Sequence, residues 1–184
     1  MMMANIKEKK KKPAIKKEAP VKAKIVKKEV KPKAKAKASG SDPSAGDILE
    51  MFKTAVQKSE SSDFKASLKI LDTIIEICPG HRDVLNYKGM MLVGLGENKK
   101  AIKCFDECIK INPGDKEALN NKAISLYGIG EDEKAIKCLE KALALDNRYP
   151  DALMNMAVIL SGMGKDEQAQ KFLARARAME TIRG

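Results

Sequence analysis

The chain has 184 residues, 36 Lys and Arg against 25 Asp and Glu, a formal net charge of +11, and no Trp. That length suits one domain plus an extension, and no apolar run is long enough to cross a bilayer. The excess charge is confined to one end: residues 1–46 carry fifteen Lys against Glu8, Glu18, Glu29 and Asp42, and residues 47–184 balance to zero.

The segment 1–46 consists mainly of Lys, Ala, Pro and Val, with no aromatic residue and no Arg. It has too little apolar surface to offset ordering entropy and is expected to be disordered, with 39–46 as a flexible linker. Lys9, Lys10, Lys11, Lys12, Lys16, Lys17, Lys27 and Lys28 form a basic stretch fit for polyanions: nucleic acid, ribosome or anionic lipid. Without Arg or aromatic side chains such contact is independent of sequence. The plainer alternatives are a solubilising tail, or a tail folded over acidic residues of its own domain. Residues 1–4 are too few for a signal peptide, and a Lys-rich, Arg-free segment is unlike a mitochondrial transit peptide. A cytoplasmic protein is expected.

From residue 47 onward the chain repeats itself. Ser67, Ala101, Ala135 and Ala169 are spaced by 34 residues, as are Leu71, Phe105, Leu139 and Leu173. The copies run over about 48–81, 82–115, 116–149 and 150–183, in a domain of residues 47–184. The first copy is worn. Its second half, from Asp63, fits the register; Leu49, Phe52 and Val56 of its first half keep an apolar stripe that joins the others only through a longer turn at 59–62.

Within each copy apolar residues recur at three and four, as at Leu119, Ala123 and Leu126, then Ala135, Leu139, Ala142 and Leu143, which predicts two helices. Gly96, Gly130 and Gly164 stand where the first helix must stop, a place for left-handed backbone. Pro79 and Pro113 follow second helices, and Pro150 stands where a missing N–H costs little. Gly89, Ala123 and Ala157 face Ala101, Ala135 and Ala169, so the two helices of a copy pack closely. A fixed period of this length predicts stacked helical hairpins, and hence interaction with another molecule rather than catalysis.

These columns resemble the tetratricopeptide repeat family, over about residues 48–183. The departures are Leu85, Leu119 and Leu153 in place of the family's Trp, Lys88 and Lys122 in a column usually apolar, and Cys108 in place of Ala. The resemblance implies an all-α fold, a right-handed α-solenoid whose first helices line a concave groove, and a partner that is a protein or peptide.

The first-helix columns left over from the core read Asp83, Glu117, Asp151; Asn86, Asn120, Met154; Tyr87, Asn121, Asn155; Met90, Ile124, Val158; and Val93, Tyr127, Ser161. They form an acidic rim, an amide row and an apolar strip. An amide offers both donor and acceptor, so Asn121 and Asn155 suit the backbone of an extended peptide, a role the family gives this column. Met90, Ile124, Val158 and Tyr127 suit its apolar side chains, and the acidic rim a Lys or Arg. Of the positions with which some family members clamp the C-terminal carboxylate of heat-shock chaperones, only Asn121 matches, and Asp151 would repel it.

Other chemistry has little foothold. Cys104 and Cys138 share a column with Ile70 and Phe172, and Cys108 shares one with Ala142 and Ala176, so these thiols read as small core residues rather than metal ligands with Cys78 and His81. Gly94, Leu95 and Gly96 follow a helix, not a strand, so they make a turn and not a phosphate loop. No metal, cofactor or enzymatic activity is expected. Gln170 and Arg177 replace the apolar residues that would cover a further hairpin, which ends the array, whereas the first copy is a candidate for weak self-association. The expectation is a non-enzymatic adaptor; the alternatives are a nucleic-acid- or ribosome-associated protein tethered by its tail and a self-assembling scaffold.

Overall fold

The computed structural model describes residues 44–181; the basic stretch from Lys9 to Lys28 lies outside the described residues. The described residues form eight helices: α1 (Ala45–Glu60), α2 (Phe64–Ile77), α3 (Arg82–Gly94), α4 (Asn98–Ile111), α5 (Lys116–Gly128), α6 (Asp132–Leu145), α7 (Pro150–Gly162) and α8 (Asp166–Thr181). They pack as four antiparallel pairs, each pair stacked on the next.

Helix starts follow from local chemistry. Ser44 caps α1 in a reciprocal box with Asp47, Asp63 accepts from the Ala66 N–H, Asp115 accepts from the Ala118 N–H, and Pro150 opens α7. Between the helices of a pair, Gly96, Gly130 and Gly164 have φ of 76°, 82° and 75°. The N–H after each glycine closes the turn on a carbonyl five residues back, Glu97 to Leu92, Glu131 to Leu126 and Lys165 to Leu160.

The first repeat obeys the same rule, which corrects the longer turn expected there. Ser62, 34 residues before Gly96, has φ of 62°, and the Asp63 N–H reaches the Lys58 carbonyl at 2.8 Å. Serine has taken the left-handed position without lengthening the turn. The buried stripe of α1 is accordingly Ile48, Phe52, Ala55 and Ser59, while Leu49 and Val56 are only half-buried.

Each pair has a small residue in its first helix. Ala55 shares a core cluster with Leu71, and Ala123 and Ala157 share one with Leu139 and Leu173; in the same columns the second repeat alone has a glycine, Gly89, and an aromatic ring, Phe105. A Cβ on Gly89 would lie 2.5 Å from Phe105 Cε1, so the ring occupies the space the missing methyl leaves. In the stack α3 touches α5 and α5 touches α7, but no two second helices meet to that extent among the described residues. Stacked pairs whose first helices are closer than their second helices curve with the first helices on the concave side.

Candidate peptide-binding groove

Three contacts between residues 35 positions apart run diagonally across the first helices. Asn121 Nδ2 donates to Asn86 Oδ1 at 3.1 Å, and Asn155 Nδ2 donates to Asn120 Oδ1 at 2.8 Å. At the same step in the first repeats, the Phe52 and Tyr87 rings meet edge to face with centroids 5.3 Å apart. The Tyr87 hydroxyl also hydrogen-bonds Ser59 Oγ. A longer 3.5 Å contact from Asn120 Nδ2 to Asn121 Oδ1 joins the two amide pairs into one chain across three repeats.

The candidate residues therefore divide. Asn120 (4% exposed) and Tyr87 (8%) are buried in contacts between repeats, whereas Asn86, Asn121 and Asn155 are half-buried. Each amide still has capacity beyond its inter-repeat bond, since a carboxamide has two N–H donors and two acceptor lone pairs. Val56, Met90, Ile124 and Val158 form the half-buried apolar column. Val56 packs on the first-repeat core and Met90 leans on the cluster of Leu92 and Phe105, but Ile124 and Val158 belong to no core cluster. Tyr127 is half-buried with its hydroxyl over Gly162, where a Cβ would lie 2.6 Å from the oxygen.

On the rim, Asp151 is exposed and Glu117 half-buried, whereas Asp83 is held by Arg82 at 2.9 Å. Arg82 also faces the buried Asp115 at 3.6 Å. Burial outweighs that cation and the capping N–H, and it raises the Asp115 carboxyl above its ordinary range. One repeat later Lys116 pairs with Asp146 at 2.6 Å, and its ammonium lies 5.2 Å from the Tyr149 ring centre. Columns had not revealed these contacts, because each joins residues of different columns.

The two lysines in a usually apolar column also have partners. Lys88 reaches Asp72 and Lys122 reaches Asp106, both at 2.5 Å, each tying a first helix to the second helix of the preceding repeat. Met156 fills that column in the fourth repeat. Cys108 is fully buried and its thiol is pushed up to about 12, with burial the main cause; burial likewise raises Cys104 and Cys138. Among the described residues no three His, Cys, Asp or Glu side chains come together as a metal site would need, and no helix is long and apolar enough to cross a membrane.

Family profiles described as tetratricopeptide repeat match residues 82–115, 116–149 and 133–181, together more than half of the chain. The chain belongs to the tetratricopeptide repeat family, whose repeats are scaffolds for protein–protein interaction and characteristically non-catalytic. Among solved structures, it is similar to residues 41 to the end of MamA from Desulfovibrio magneticus RS-1, with 17% identity, a TM-score of 0.67, and coverage of 75% of this chain and 78% of that one. A second MamA structure gives 19% identity and a TM-score of 0.65 with 73% of each chain covered, and one titled MamA MSR-1 gives 17% and 0.63 with 77% and 83% covered. At that identity the likeness shows the fold alone. No curated protein matches the chain.

Proposed function

We propose that the chain is a cytoplasmic, non-enzymatic adaptor that holds an extended apolar and basic peptide in the groove of α3, α5 and α7. The observation that carries this reading is the pair Ile124 and Val158, apolar, partly exposed, one repeat apart and outside every core cluster. Around them the spare valences of Asn86, Asn121 and Asn155 suit a peptide backbone, and Glu117 and Asp151 suit its cations. Selection from a random displayed peptide library on the purified full chain tests it. Selected peptides should lose binding at least tenfold with Ile124→Glu and with Val158→Glu, and keep it with Ile111→Glu at the exposed end of α4. Equal loss in all three, or no selected peptide, would refute the groove.

The confinement of the whole +11 charge to residues 1–46 supports a second role, sequence-independent attraction of that segment to a polyanion. Binding of a random-sequence RNA that weakens steeply with salt, and vanishes when Lys9, Lys10, Lys11 and Lys12 become Glu, would establish it.

A further inference from the structure

We infer that the chain carries a ligand for its own groove: residues 21–30 of the N-terminal arm occupy the apolar strip in cis and compete with outside peptides. The inference rests on the groove being a peptide site, and it names the first occupant of that site.

The repeat domain has no net charge, and carboxylates stand at both edges of its groove. On the second helices one column of exposed lysines, Lys69, Lys103, Lys137 and Lys171, is balanced by exposed acids such as Asp72, Glu107, Glu140 and Glu167. The first helices present Glu117 and Asp151 at one edge of the groove. At the other edge Ser161, in a groove column, donates to Asp166 Oδ1 at 2.9 Å, and Asp132 holds the equivalent place one repeat earlier. The cations of α3 and α5, Arg82, Lys88, Lys116 and Lys122, are already paired with carboxylates. A cationic segment is thus attracted to the carboxylates at the groove edges.

The arm offers the complementary pattern. Val21-Lys22-Ala23-Lys24-Ile25 alternates strictly, followed by Val26, Lys27, Lys28 and Val30. When extended, it turns Val21, Ala23 and Ile25 to one side and Lys22 and Lys24 to the other, matching an apolar strip between acidic edges. Val21 and Ile25 then stand about 13 Å apart, enough to bridge neighbouring first helices spaced by about 8–10 Å.

The connection is also right. The arm joins the domain at Ser44, the start of α1, and contacts at a constant 35-residue step require all first helices to run in the same direction. Ser44 therefore lies at the edge that carries Asp83, Glu117 and Asp151, near the starts of α3, α5 and α7. Residues 31–43 can span up to roughly 43 Å, more than the roughly 30 Å from the first to the fourth first helix. A segment tethered so closely reaches an effective concentration on the order of 1 mM, so even an intrinsic affinity near 100 μM keeps the groove about nine-tenths filled.

The test uses two full-length chains, the wild type and one with Lys22→Glu, Lys24→Glu, Ile25→Asp and Lys27→Glu, and a fluorescein-labelled synthetic peptide of residues 19–31 as probe. Fluorescence anisotropy should show the probe binding the altered chain about tenfold tighter than the wild type, and Ile124→Glu in the altered chain should abolish that binding. Equal affinity for both chains, or binding to neither, overturns the inference. A ratio that falls on diluting the wild type would mean that arms are exchanged between copies, which also overturns occupation in cis. Library-selected peptides are measured on the same two chains: if they bind while the probe does not, the groove stands and only its proposed occupant falls.

Discussion

The match between Gly89 and Phe105 can be tested within a single chain, because three other repeats already hold the alternative pair, Ala opposite Leu. Gly89→Ala gains about 1 kcal/mol of helix propensity. The new methyl group meets a fully buried ring at 2.5 and 2.7 Å. The ring is rigid and enclosed, so the clash falls at the upper end of the roughly 1–3 kcal/mol cost of overpacking, or a net loss of about 2 kcal/mol. Phe105→Leu removes about one methylene of packing and leaves part of its space empty, a loss of about 1 kcal/mol. Additivity would put the double variant about 3 kcal/mol below the wild type. We expect it within about 1 kcal/mol of the wild type, because the methyl group refills the space the ring vacates, a coupling near 2 kcal/mol. Urea denaturation of the full chain and its three variants gives the cycle, provided the denaturant slope is unchanged. Losses that add to within about 0.5 kcal/mol would refute the reasoning and the helix register with it.

Ser62→Gly should stabilise the first repeat by about 0.5–1 kcal/mol, since a left-handed non-glycine residue costs about 1–2 kcal/mol and glycine's extra unfolded-state freedom returns part of that; a lower thermal midpoint would contradict it. Asn155→Ala removes the donor to Asn120 Oδ1, on a residue only 4% exposed, and should cost about 1–2 kcal/mol in denaturant titrations, an effect absent if the amide chain carries no load. Asp115 has a carboxyl raised by burial, so its contribution to stability is greatest below its ordinary value of 3.8 and is lost as pH rises through the folded value. Asp115→Asn keeps a capping oxygen and removes the charge; its stability relative to wild type should improve between pH 4 and pH 7, and a constant difference would refute this. Lys88→Met with Lys122→Met, copying Met156, should change stability by less than about 1 kcal/mol and weaken its salt dependence.

The pairing of helices, the three glycine turns and the core columns were legible because each is a local rule written at a fixed interval. The first repeat was harder to read, since glycine had marked the other turns and Ser62 adopts the same backbone without announcing it. The groove columns were also legible as positions, yet their division into buried and available members was not. Asn120 and Tyr87 are buried because the contact step is 35 residues rather than 34, a diagonal that appears only once neighbouring helices are placed side by side. Arg82 with Asp115, and Lys116 with Asp146 and Tyr149, escaped notice for the same reason. The oddity of Lys88 and Lys122 was visible in the sequence, but its resolution required the carboxylates of the preceding second helix.

That diagonal gives the groove a property that a list of exposed residues lacks. Asn121 and Asn155 each spend one N–H on the preceding repeat, which fixes the orientation of the amide and with it the direction of the remaining donor and acceptors. A peptide bound as proposed would therefore meet amides already ordered by the fold and need not supply the entropy of ordering them. The same bonds make the distance between adjacent groove amides a consequence of repeat packing, so a change in the stacking of α5 on α3 shifts the site itself. In the first two repeats the step is made by the rings of Phe52 and Tyr87, which offer an extended backbone no amide. The polar part of the groove consequently begins at α3, and the apolar column that accompanies it leaves its core contacts only at Ile124. Any peptide that reads both features must lie across α5 and α7 with its continuation toward α3, a placement set by packing before a ligand arrives.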